Sequence, residues 1–285
     1  MIKILEQGAW LNYTNRLNEE ELISQAMFLS TRYDCSATIC ATTRGYKVTQ
    51  ARYSIHRCPD MSKRGEGELS ELVGGSGHFD GVKAIRELRD FGDDGKVKEL
   101  LIESIRGLDQ AETYLLEELG MKTREDYERR WQDRVKSDPK TFACRPYDGR
   151  MPGLEEWSTH IGAYEHTRTQ NFYTKYMSYV IFQKKEGELI VSGTYNDSFH
   201  EMHTEFAFDA ASRNISAFDM IVVRAPHVQC FELSHTSAES FIGNSIEGFS
   251  KREVGKIVGG APGCHHLVEI ITTMASAVKE FKKAE

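Results

Sequence analysis

The chain has no long hydrophobic run. No stretch of its 285 residues approaches the roughly 18 apolar residues of a membrane-spanning helix, so no membrane association is expected. The start has no sustained apolar core either. MIKILEQGAWLNYTNRLNEEELI turns acidic early, which argues against an export signal and for a cytoplasmic location. Positive charge is not in excess: a formal net charge of −7 disfavours general nucleic-acid binding, which is served by basic surfaces. The six cysteines, Cys35, Cys40, Cys58, Cys144, Cys230 and Cys264, form no CxxC pair, which excludes a zinc ribbon and a thioredoxin-type motif. Spread through a large chain, they are expected to be reduced. Phosphate-loop and dinucleotide fingerprints are also missing. VGGSGHF (73–79) and IVGGAPG (257–263) are glycine-rich, but neither is G-x-x-x-x-G-K-[ST], and neither leads from a clear strand into a helix in Rossmann order. Their glycines are expected to stop helices and make tight turns.

What is present is a composition suited to a large packed core, with 40% hydrophobic and 28% charged residues. The chain also contains an internal echo. Leu72-Val73-Gly74 lies over Phe241-Ile242-Gly243, and Ser76 over Ser245. Upstream, ATTRGYKVTQARYSIHRCP and AASRNISAFDMIVVRAP each read as strand, polar turn and strand, ending in Arg-x-Pro, with Arg57 over Arg224. Each segment then leads through glycines into a long helix.

The expected fold is therefore α+β: two related halves, each of antiparallel strands followed by helices, packed as a pseudo-dimer. Residues 1–121 form the first repeat and 170–285 the second. A connector, 122–169, holds a charged helix, with Glu125 and Arg129 four apart, and then a Pro/Gly loop. In the second half the strands are FYTKYMSYVIFQ, LIVSGTYND, HTEFAFDA and NISAFDMIVVR, joined by turns at Lys185–Glu188 and Ser212–Asn214. The last helix carries Leu267, Ile270, Ile271, Met274 and Val278 as one apolar stripe.

Three features of the second half stand together: Asp-x-x-His-Glu (Asp197, His200, Glu201), Arg-x-Pro-x-x-x-Cys (Arg224, Pro226, Cys230) and Gly-Cys-x-His-Leu (Gly263, Cys264, His266, Leu267). With them, the chain from Tyr173 onward resembles the domain of unknown function family 2889 of bacterial proteins. That resemblance groups these residues and implies no activity. His265 departs from the family pattern, which has a small polar residue there. The first half reads as a degenerate copy: GDDGKVKEL stands where Gly-Cys-x-His would fall, and MFLSTRYDCSATICA contains no histidine. One site per chain, in the second half or at the junction, is the expectation.

Several chemistries fit these residues. His203, Cys230, Cys264 and His266, together with His200, offer nitrogen and sulfur donors for zinc or iron. Asp197, His200, Glu201 and His265 are acid/base candidates. Arg224 suits a substrate carboxylate, and Gly260 and Gly263 leave backbone amides for an anion. At a helix start, the Cys264 thiol is a candidate for a lowered pKa. The bland reading is that the cysteines are small buried hydrophobes and that His266 packs at the helix start. The function expected is a cytoplasmic small-molecule metabolic enzyme of the lyase, isomerase or hydrolase type. Its substrate would be a carboxylate or an aromatic, and a homo-oligomer is compatible. The competing class is a non-catalytic binding or assembly subunit whose Cys/His set is structural.

Overall fold

In a computed structural model of the chain, the described residues are 3–115, 120, 121, 126, 129, 133, 170–225, 230–233, 238–260 and 263–284. The chain divides into two compact units. The first comprises Gly8–Asp126 and His166–Tyr176, the second Met1–Gln7, Tyr127–Glu165 and Met177–Glu285. The connector expected at 122–169 lies outside the described residues except for Asp126, Arg129 and Asp133, which are helical. Pro226 and Cys144 lie outside them as well.

The first unit is an antiparallel sheet with strand order β5-β4-β3-β2-β1. Its strands are β1 (Lys3–Arg16, from Gly8 onward), β2 (Glu21–Ser30), β3 (Asp34–Thr42), β4 (Val48–Arg57) and the short β5 (Gly65–Glu68). β2 shows why a sheet forms here. Leu22, Ser24, Ala26, Phe28 and Ser30 alternate with less buried neighbours, so one face is covered. The covering element is α2 (Lys96–Ala111), reached through the short α1 (Val82–Glu87). α2 turns Val97, Leu100, Leu101, Ile105 and Leu108 inward. Its start is held by Asp93, whose carboxylate accepts the amides of Gly95 and Val97.

The second unit follows the same plan. β6 (Asn171–Lys185, from Met177), β7 (Glu188–Asp197), β8 (Glu201–Asp209) and β9 (Ile215–Arg224) lie side by side in sequence order. The four strands read in the second half are all present, and Gly187 makes the β6–β7 turn at a φ of 77° that favours glycine. On β8, Met202, Thr204, Phe206 and Phe208 face inward. Phe218 of β9 stacks on Phe241 at 4.2 Å and 14°. α3 (Lys251–Val258) begins at Ser250, which accepts the Glu253 amide. α4 (His265–Ala284) buries Leu267, Ile270, Ile271, Met274 and Val278, the stripe expected from its spacing.

The units share details beyond element order. β3–β4 pairing shifts register between Asp34 and Cys35 and between Cys40 and Ala41; β8–β9 pairing shifts between Glu201 and Met202 and between Ala207 and Phe208. A single bridge pairs Lys47 with Ser76, and another pairs Asn214 with Ser245, the two serines that align in sequence.

The face beneath α2 is unusually polar. Thr14 donates to Ser24 at 2.9 Å, Ser24 to Asn12 at 3.3 Å, and Asn12 to the carbonyl of Glu103 on α2. Gly107 permits this approach: a Cβ there would lie 2.6 Å from Ser24 Oγ and 2.7 Å from Asn12 Oδ1. Alanine normally stabilises a helix relative to glycine by about 1 kcal/mol. Here overpacking should outweigh that gain, so Gly107→Ala is expected to destabilise the protein by about 1–3 kcal/mol in urea melts. A neutral or stabilising result would show that the contact can relax.

Candidate functional site

The β7–β8 hairpin turns through Asp197-Ser198-Phe199-His200, with the Asp197 amide donating to the His200 carbonyl at 2.9 Å. Asp197 closes the turn with its side chain. Its Oδ1 accepts the amides of Phe199 at 2.7 Å and His200 at 2.6 Å, an Asx turn. Its Oδ2 accepts the Tyr195 hydroxyl at 3.0 Å. Tyr195 was not among the residues expected at the site. Its signal in the sequence is its position two residues before Asp197, hence on the same strand face.

His200 completes the carboxylate's surroundings: its Nδ1 lies 3.1 Å from Asp197 Oδ1. An ionised carboxylate only accepts, so His200 Nδ1 carries a proton and donates it to this bond. Burial by itself would raise the Asp197 pKa. The charge and hydrogen bond of His200, then His266 and the Phe199 amide, outweigh it and hold the carboxyl well below the usual range.

α4 supplies the second imidazole. His266, in its first turn, lies with its ring centroid 4.0 Å from that of His200 and 5.2 Å from that of Tyr195. Its Nε2 is 3.9 Å from Asp197 Oδ2 and its Nδ1 is 3.8 Å from Cys264 Sγ. Burial first, and repulsion from His200 second, push the His266 pKa down to about 3, so this ring is neutral near pH 7. Cys264 moves the other way from the expected thiolate. Burial raises its thiol to about 11, outweighing the amides of Leu267 and His266 that lower it.

Arg224, at the end of β9, engages the back of the turn. It donates to the carbonyls of Asp197 at 2.8 Å, His200 at 3.1 Å and Ser198 at 3.2 Å, and its Nε lies 4.0 Å from Glu201. Its guanidinium is thus occupied in clamping the hairpin rather than presented to a substrate. Arg57 does the same in the first unit, donating to the carbonyls of Ser30 at 2.7 Å and Tyr33 at 3.5 Å. There Ser30 Oγ accepts the Arg32 and Tyr33 amides, as Asp197 does in the second unit. Turn and clamp are common to both units; Asp197 and His200 are replaced by Ser30 and Tyr33.

The other expected residues are placed separately. His203 lies on the β8 face opposite buried Met202 and Thr204, with its Nε2 3.5 Å from Ser192 Oγ. Glu201 is on that same face. His265 is next to the cluster, its ring centroid 6.1 Å from that of His266. Cys230 is buried. Around Gly260 and Gly263 the amides serve the loop: Gly259 donates to Gly255, Gly263 to Gly260 and Cys264 to Val258.

Asp197, His200 and His266 each present a ligand atom within 4.8 Å of the other two, so the group has the span of a metal site. Direct bonds to zinc are only about 2 Å long, so His266 Nε2 and Asp197 would need to draw closer. Ligation through His200 Nδ1 would cost its proton and its bond to Asp197, whereas ligation through Nε2 would keep both.

The half-buried imidazole of His266 gives the fold a pH dependence. An unfolded histidine takes up a proton near 6.5, whereas His266 resists it down to about 3. Stability is therefore full above about 6.5 and falls as pH drops from there towards 3. Asp197, its folded pKa lowered, adds a loss only below the unfolded carboxyl value of 3.8. His266→Phe should flatten the slope between pH 6.5 and 4 and leave the acid limb. Urea melts at stepped pH check this; identical slopes in the two proteins would refute it.

No curated protein and no solved structure matches the chain significantly. Residues 182–279, which contain this cluster, match the family described as "Protein of unknown function (DUF2889)".

Proposed function

We propose that the second unit is a cytoplasmic small-molecule enzyme of the lyase, isomerase or hydrolase type, with the Asp197–His200 pair as its general base. The observation that carries this reading is the Asp197 Oδ1 environment. Two turn amides fix the carboxylate, and it in turn orients His200 Nδ1–H. His200 Nε2 then takes the substrate proton, and Asp197 stabilises the imidazolium that results. His266, uncharged beside it, adds no opposing positive charge. Cys264, with its thiol protonated, packs the helix start. Glu201, His203, Cys230 and His265 have no role in this step.

We further infer that the two units descend from one ancestral α+β unit. The aligned serine bridges, the matching register shifts and the paired arginine clamps support it. The first unit kept the turn and lost the imidazole.

The experiment is a screen of the purified chain against small carboxylates and aromatics, followed by turnover of any binder. His200→Gln is expected to lower kcat/KM by roughly 10²–10⁴-fold, and Cys264→Ala to leave it within a few-fold. Tyr33→Phe, the matching position in the first unit, should leave it unchanged. Turnover that survives both His200→Gln and His266→Gln would overturn the assignment. Stoichiometric zinc or iron in the wild type, lost in His200→Gln, would replace it with a metal-assisted step.

A further inference from the structure

The glycine-rich loop 73–81 holds a second cluster, in the first unit. Gly77 packs where no side chain fits: a Cβ would lie 2.9 Å from the Tyr46 carbonyl and 3.1 Å from Ala41 Cβ. Gly81 is similarly closed by the Ser76 carbonyl. Ser76 Oγ accepts the His78 amide at 3.2 Å and donates to Asp80. The loop thus fixes His78 against the end of α2. There His78 Nε2 stands 2.6 Å from Asp109 Oδ1 and 4.0 Å from Glu112 Oε2.

Two carboxylates at a helix C-terminus oppose the helix dipole. They are also largely enclosed, with side chains 12% and 10% exposed, while His78 at 26% keeps the cluster reachable from solvent. Asp109 Oδ1 is fully enclosed, with the His78 imidazole as its close partner. A neutral imidazole and two carboxylates carry two negative charges, which a divalent cation balances. One ligand atom from each residue lies within 4.8 Å of the other two.

We propose that His78, Asp109 and Glu112 form a binding site for a divalent transition cation of the zinc or manganese class. Imidazole favours zinc-like ions, and carboxylates accept both. The site is separate from the Asp197–His200–His266 cluster and stands or falls independently of the function proposed for it. In the metal-free protein the imidazole takes a proton instead. Asp109 first and Glu112 second raise its pKa to about 9, against the effect of burial.

The test is zinc and manganese binding to the metal-depleted full chain by calorimetry, in a His266→Gln background that disables the other cluster. The expected result is one ion per chain. His78→Gln and Asp109→Asn should each weaken binding by at least the roughly 10- to 100-fold that loss of even an outer-shell partner costs. Glu112→Gln, the mildest change, guards against a variant that fails to fold. Zinc should raise the Tm of the background protein and not that of folded Glu112→Gln. No binding by the background protein, or equal affinity in folded His78→Gln, overturns the proposal.

Discussion

A carboxylate taken out of water must find its donors inside the protein or give up its charge. Asp197 finds them in two turn amides, one tyrosine hydroxyl and one imidazole. The turn itself supplies three of these donors, the Phe199 and His200 amides and the His200 ring, and the preceding strand supplies the fourth, Tyr195. Arg224 then secures the outward side of the same turn from β9. The site is rigid because the carboxylate and the guanidinium act on the same four residues, one by accepting amides and the other by donating to carbonyls.

The two units separate what the fold needs from what the chemistry needs. Ser30 shows that a hydroxyl suffices to close the turn, and Arg57 shows that the clamp does not require a charged turn residue. The aspartate at the matching position adds a charge and a bond to His200 that closing the turn does not require. The same reasoning applies in reverse to His78. It belongs to a glycine loop whose shape the close contacts of Gly77 and Gly81 explain, but those contacts do not explain an imidazole between two enclosed acids.

Much of this was legible in the sequence where period and turn chemistry agree. The β6–β9 strands, the Gly187 turn and the apolar stripe of α4 follow from alternation, glycine and spacings of three and four. Asp197, His200 and His266 were expected within one larger site; that these three meet while Glu201 and His203 face the other way depends on how α4 meets the end of β7 and on the alternation of β8. The roles differ for the same reason. Arg224 reads as a ligand for anions until its three carbonyl partners are seen. The helix start that would activate Cys264 also buries it, and burial is the larger effect. Asp109 and Glu112 look like an ordinary solvated helix end, since nothing local reveals that a loop thirty residues upstream covers them.

β1 and β6 each pass from one unit to the other partway along their length. The segment shared with the family opens at Phe182, inside β6, which runs from Asn171 to Lys185. Similarity and architecture therefore place their boundaries differently. A piece of gene cut at the edge of the similarity would sever a strand, and a cut ahead of β6 would take from the first unit residues that belong to it. If duplication made this protein, the boundary between its products now falls inside strands rather than between them.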